Sequence, residues 1–93
     1  DGEYRRTCDF IAIALEDTNS EGFTLLEQRN FFKKGDVLEI LSPDSLNKKV
    51  TVKEIRDMEG SERETAHLVQ EKVLVNLGES IRKGDMLRRR ISE

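Results

Sequence analysis

Apolar residues along the chain fall in short runs, each closed by Gly, Asp, Asn or Ser, and the runs alternate as strands do. Cys8 to Glu16, CDFIAIALE, predicts a first strand with Ile11, Ile13 and Leu15 on one face and Phe10, Ala12 and Ala14 on the other. Apolar residues on both faces mean a strand covered on both sides, or one that leaves part of its second face for a partner. Asp17 to Gly22 has hairpin-loop composition, and Phe23 to Gln28 predicts a second strand running back beside the first.

The stretch from Leu25 to Pro43, LLEQRNFFKKGDVLEILSP, organises the rest. The polar block Glu27-Gln28-Arg29-Asn30 leads into Phe31 and Phe32, then Lys33-Lys34-Gly35-Asp36, then an apolar run from Val37 to Leu41. A Gly-Asp pair between two β-type runs predicts a tight turn, because glycine takes positive φ without a Cβ clash. The pattern returns near the C-terminus, where Ile81-Arg82-Lys83-Gly84-Asp85-Met86-Leu87 echoes Phe32-Lys33-Lys34-Gly35-Asp36-Val37-Leu38.

Between the two, Asp44 to Asn47 predicts a loop, and Lys49 to Arg56 a strand with Val50 and Val52 on one face. Its phase slips at Ile55, as it would at a β-bulge or a strand end. Asp57 to Gly60 predicts a turn. Ser61 to Gln70 has too few apolar positions for a core-facing helix and predicts a loop or a brief strand. Glu71 to Leu77 alternates again, with Val73, Val75 and Leu77 opposed by Leu74, and Met86 to Ile91 makes the last strand. Residues 1–7 read as a polar tail or linker and residues 8–93 as one domain. Short strands, frequent turns and no long amphipathic helix predict an all-β fold: a small closed antiparallel β-barrel of about six strands. Closure also removes the exposed edges that so small an open sheet would carry.

Composition narrows the function more than the fold. Ninety-three residues suffice for one modest core but not for a core plus a deep catalytic cleft. Charged residues make up 38% of the chain with both signs mixed, and the formal net charge of −3 speaks against a strongly basic nucleic-acid binder. Four Phe, one Tyr and no Trp leave little for an extended base-stacking platform. Cys8 is the only cysteine, which favours a reduced, cytoplasmic setting, and no apolar run approaches the roughly 18 residues of a membrane span. The first residue is Asp1 rather than Met, so a fragment or processed chain is expected.

Glu27, Gln28, Arg29 and Asn30 could dock a catalytic domain or a substrate phosphate, or could cap a neighbouring loop from a strand end. Lys33, Lys34, Arg82 and Lys83, with Arg88, Arg89 and Arg90, would form one basic edge if the two turns were neighbours. The alternative is a set of solvated charges balanced by Asp and Glu. His67 could act as a base, a ligand or a substrate contact, but with no metal-ligand spacing or nucleophile beside it, a structural or loop histidine is the favoured reading. Cys8 lacks a CxxC partner, and Asp36 and Asp85 fit Asx-type turn hydrogen bonding better than acid–base chemistry. No catalytic, metal or cofactor residue is assigned.

The run LLEQRNFFKKGDVLEILSP, then TVKEIRDMEG, then IRKGDMLRR resembles the C-terminal domain of the collagenase-like peptidase family, peptidase family U32. The matching residues are Glu27, Gln28, Arg29, Asn30, Phe32, Gly35, Asp36, Ala66, His67, Gln70, Gly84, Asp85, Leu87 and Arg88, and the likeness extends from Phe10 to Arg89. The family's Pro-Gln-Gln after the histidine is Leu68-Val69-Gln70 here. The resemblance implies a small barrel similar to the second domain of translation elongation factors, appended to an upstream catalytic domain of the same chain. It implies a parent that is a protease, or an enzyme hydroxylating RNA bases with an iron–sulfur cluster, whose catalytic and cluster-ligating residues lie upstream. The chain itself is then a non-catalytic accessory domain that packs on the catalytic part or positions a protein or RNA substrate, with no cofactor of its own.

Overall fold

The computed structural model describes residues 8–42, 45–66 and 71–90, and every regular element among them is a strand. In chain order these are β1 (Cys8–Ala14), β2 (Phe23–Gln28), β3 (Phe32–Lys33), β4 (Val37–Ser42), β5 (Ser45–Thr51), β6 (Glu54–Arg56), β7 (Glu62–Arg63), β8 (Thr65–Ala66), β9 (Lys72–Asn76) and β10 (Met86–Arg90). Eight of them form one sheet in the order β5-β4-β10-β1-β2-β9-β6-β7, while β3 and β8 pair as a separate ribbon. Every pairing is antiparallel.

The all-β class holds, but the ladders do not make the closed barrel of about six strands that the sequence predicts. Among the described residues the sheet is open and curled, with β5 laddered only to β4 and β7 only to β6. The cause lies at Val52 and Lys53. Val52 is held on the β4 side, where Gly35 N–H donates to its carbonyl at 2.8 Å and its own N–H donates to Asp36 C=O at 2.9 Å. Lys53 N–H instead donates to Asn76 C=O at 2.8 Å, on the β9 side. One long strand thereby becomes two with different neighbours, and the phase slip at Ile55 marks a strand end rather than a bulge. The remote strands β5 and β6 are consecutive in the chain without sharing a ladder.

Three further expectations change. The register of β1 against β10 slips between Phe10 and Ala12. This bulge puts Ile11 on the same side as Ala12 and Ala14, all three buried, while Ile13 and Leu15 are left half-exposed. A one-residue slip exchanges the two faces of a strand, so the simple alternation read from the sequence fails at this point. The first strand ends at Ala14, two residues short of Glu16. Ser45 to Asn47, expected in a loop, open β5 instead, with Ser45 opposite Ser42; Pro43 and Asp44 lie outside the described residues.

A single apolar cluster fills the concave side, and Ile11, Leu26, Leu38, Ile55, Val75 and Leu87 in it are completely shielded. Each such side chain contributes about 1.5–3 kcal/mol relative to an exposed position. Along β9 and into Leu77 the alternation is as expected: Val73, Val75 and Leu77 are buried while Leu74 is not. The core thus fixes which side chains of each strand remain on the outer face.

Candidate interaction surface

The Glu27–Asn30 block divides between structure and surface. Gln28 is fully buried, and its Nε2 donates to Ala66 C=O at 2.6 Å and to Asn30 C=O at 3.1 Å. Two carbonyl acceptors fix the orientation of that amide, which ties the end of β2 to β8 across 38 positions of sequence. Its Oε1 is also buried and meets no partner among the described residues. The backbone N–H groups of Arg29 and Asn30 both donate to Ile11 C=O, at 2.7 and 3.1 Å, at the β1 bulge. Glu27 pairs with Arg29 at 3.3 Å, and the Arg29 guanidinium lies 6.0 Å from the Phe10 ring. The capping role expected for the block belongs to Gln28, and Glu27, Arg29 and Asn30 remain on the surface.

The two Lys-Gly-Asp segments form the same turn twice. In the first, Asp36 N–H donates to Lys33 C=O at 3.2 Å and Asp36 Oδ2 accepts Lys33 N–H at 3.0 Å. In the second, Asp85 N–H donates to Arg82 C=O at 3.0 Å and Asp85 Oδ2 accepts Arg82 N–H at 3.1 Å. Gly35 and Gly84 sit at φ of 91° and 93°, where a side chain would be strained. Both glycines also bind a neighbouring strand. Gly84 N–H donates to Ala14 C=O and Ala14 N–H to Asp85 C=O, each at 2.8 Å, as Gly35 and Asp36 do with Val52. The residues before and after the turns, Phe32 with Leu38 and Ile81 with Leu87, are buried in corresponding places.

The turns are not neighbours. They open β4 and β10, which pair antiparallel with Met86 opposite Leu41 and Arg88 opposite Glu39. The two turns therefore stand at opposite ends of that strand pair, and Lys33–Lys34 and Arg82–Lys83 do not form one basic edge. Lys34, Arg88 and Arg89 are also matched by acids. Lys34 Nζ lies 3.0 Å from Glu62 and 3.7 Å from Glu64, and the hydrogen bond to Glu62 raises its pKa above the ordinary 10.5. At Lys83 it is the backbone N–H, not the ammonium, that donates to Asp17, at 2.8 Å. Arg88 meets the nearly buried Glu39 at 2.8 Å. Arg89 reaches Asp36 at 3.4 Å, Asp9 at 3.7 Å and Phe31 C=O at 3.1 Å. His67 lies outside the described residues, as does the side chain of Arg90.

Two surface features were not singled out in the sequence. Phe10 and Phe31 are 41% and 46% exposed beside Arg29 and Arg89. Phe10 shares its expected face with Ala12 and Ala14, and the bulge that follows it separates it from those two buried residues. The second is a depression of about 480 Å3 lined by Asp57, Met58, Glu59, Arg63, Glu71 and Lys72. There Arg63 bridges Asp57 and Glu71, each at 3.4 Å. The backbone N–H of Ser61, then that of Glu59, and then Arg63 hold the Asp57 carboxyl below its ordinary pKa of 3.8. Among the described residues, no three His, Cys, Asp or Glu side chains are grouped to hold a metal ion, and no helix is long and apolar enough to cross a membrane.

The described residues thus make a curled antiparallel sheet pinned by a repeated glycine–aspartate turn. Residues 6–88 match the family model for the peptidase family U32 C-terminal domain, and the chain belongs to that family. It is 33% identical over 90 residues to the tRNA hydroxylation protein P1 of Bacillus subtilis (strain 168), a match covering 95% of this chain and 21% of that protein. The chain therefore spans about a fifth of the length of that curated relative. Two crystal structures of the C-terminal domain of a U32 family protein from Geobacillus thermoleovorans share the fold. The selenomethionine variant superposes with a TM-score of 0.79 at 26% identity, covering 87% of this chain and 99% of that one. The other gives 0.78 at 25% identity, covering 90% and 93%.

Proposed function

We propose that this chain is a non-catalytic accessory domain of a U32 family enzyme, holding substrate or the catalytic part of the protein in position. The observation that carries this reading is the duty of its most distinctive polar residues. Asp36 and Asp85 each close their own turn, and Gln28 bridges two carbonyls inside the fold. Groups so committed hold the scaffold and are poorly placed to exchange protons with a substrate. The larger protein is then the enzyme, and the name of the Bacillus subtilis relative favours tRNA hydroxylation over peptide hydrolysis as its reaction.

A second reading, direct contact with RNA, draws on the same relative and on Phe10 and Phe31. Two exposed rings flanked by Arg29 and Arg89 can stack unpaired bases. The acids paired with those arginines weigh against it, because they neutralise the charge that would attract a phosphate backbone.

Excising the domain from a full-length U32 tRNA-hydroxylating protein and following single-turnover hydroxylation separates binding from chemistry. The accessory reading expects weaker tRNA affinity with the rate at saturation largely retained. Turnover by the isolated domain, or loss of the saturated rate at unchanged affinity, contradicts it. Titrating the isolated domain with tRNA at two salt concentrations addresses the second reading. Salt-sensitive binding that is lost on joint Phe10→Ala and Phe31→Ala substitution supports direct contact, and no binding at low salt refutes it.

A further inference from the structure

The strands that build the core carry a second apolar surface on their outer face. Leu41, Met86 and Ile13 are cross-strand partners on β4, β10 and β1, so their side chains stand on the same side of the sheet. Leu15 continues that face two residues beyond Ile13 and lies against Leu25, whose carbonyl accepts its N–H at 2.9 Å. Leu25 in turn partners Leu74 of β9. The intervening residues Ala14, Leu26, Val73 and Leu87 are buried on the opposite side. Six large aliphatic side chains therefore run diagonally across five strands; Met86 is 41% exposed and the other five are half-buried.

The rim of this stripe is polar and internally balanced. Glu27 faces Lys72 across β2 and β9, Arg56 pairs with Glu54, and Arg88 pairs with Glu39. An apolar centre with a paired polar rim is the anatomy of a protein interface, and a monomer of this size rarely leaves such a stripe uncovered. The balance of charge around it gives no attraction for a nucleic-acid backbone. The aligned relative supplies the occupant: this chain matches only 21% of its length, so the same domain there is tethered to a much larger polypeptide. A tethered partner is present at an effective concentration on the order of millimolar, at which a stripe of this modest size is enough.

We propose that the stripe Leu41–Met86–Ile13–Leu15–Leu25–Leu74 docks on an apolar surface of the remaining polypeptide of the same U32 protein. The assignment rests on the accessory-domain reading and names the face through which that domain packs. It also gives the doubly apolar β1 its second role: Ile11, Ala12 and Ala14 serve the core, and Ile13 and Leu15 serve the partner.

Cysteine accessibility tests it. Met86→Cys is introduced, in a Cys8→Ser background, into both the full-length protein and the isolated domain, which is a feasible reagent because the Geobacillus domain was crystallised by itself. Met58→Cys, in the turn after β6 and 56% exposed, serves as the reference position. Maleimide labelling of the peptide that contains each cysteine is read by mass spectrometry. Docking slows labelling at position 86 at least about tenfold in the full-length protein relative to the isolated domain, with position 58 unchanged, because protection reports the cost of opening the contact. Equal rates at position 86, with position 58 protected instead, overturn the assigned face while leaving the accessory reading intact. Equal rates at both positions overturn docking altogether and remove the packing half of that reading. Protection of the isolated domain that grows with its concentration, or that appears only with added tRNA, contradicts the proposal in favour of a second copy or of RNA.

Discussion

Asp36 divides its carboxylate between the Lys33 N–H and the Arg89 guanidinium, whereas Asp85, only 6% exposed, closes its turn at Arg82 against the hairpin that joins β1 and β2. The backbone geometry of the two turns is otherwise the same, down to the glycine that reaches the neighbouring strand. Their surroundings differ. The first turn faces charged side chains, with Lys34 held between Glu62 and Glu64. The second is packed against Thr18, whose Oγ1 accepts Ile81 N–H at 2.7 Å and whose N–H donates to Ile81 C=O at 2.9 Å. One local solution to starting a strand is thus used once beside charged side chains and once against the loop that joins β1 and β2. The sequence repeat marks an architectural unit, and a charge beside it is a property of the site rather than of the turn.

The largest expected effect breaks the equivalence at the residue after each turn. Leu87 is laddered on both sides, to Ala12 and to Ile40, while Leu38 is laddered to Val50 alone. Both Leu87→Ala and Leu38→Ala should lose about 2–5 kcal/mol in urea unfolding, with Leu87→Ala the greater. Equal losses would show that the two strands are equally supported. Next come the glycines. Nothing crowds a Cβ at either position, so Gly35→Ala and Gly84→Ala should each lose about 1–2 kcal/mol from backbone strain alone, and by the same amount. A large difference between them would mean that the turns are not the same device.

The smallest effect sharpens the contrast in charge. Lys34 has its pKa raised, first by the hydrogen bond to Glu62 and then by the charge of Glu64. Its contribution is therefore complete below the ordinary 10.5 and disappears as pH climbs through the higher folded value. Comparing unfolding midpoints across that alkaline range should show a slight loss that Lys34→Met removes and Lys83→Met does not.

Much of this architecture was legible because it is local. The repeated turn, the alternation of β9 and the turn at Asp57 all depend on residues within a few positions of one another. The family resemblance rested on the same local blocks and is upheld over residues 6–88. What was not legible depends on distance. Two similar turns suggest one basic edge until the antiparallel pairing of β4 with β10 sends them to opposite ends. Gln28 shares the two readings of its block, docking or capping, until Ala66 arrives to accept its amide. The break at Val52–Lys53 shows in the apolar pattern only as the phase slip at Ile55; that it is a strand end and not a bulge depends on strands on two sides taking consecutive backbone groups. Of the candidate contact residues, Glu27, Arg29, Asn30, Lys33, Arg82 and Lys83 do lie on the surface, but the structure gathers them into no single site.

On the accessory-domain reading, the aspartates of the repeat hold strands together and take no part in chemistry. Urea unfolding of the isolated domain carrying Asp85→Ala tests it most directly. The account predicts a loss of about 1–3 kcal/mol, the cost of leaving the Arg82 N–H without its acceptor, with the unfolding slope unchanged. An unaltered midpoint, together with abolished tRNA hydroxylation when the corresponding aspartate of a full-length U32 tRNA-hydroxylating protein is replaced, would contradict it.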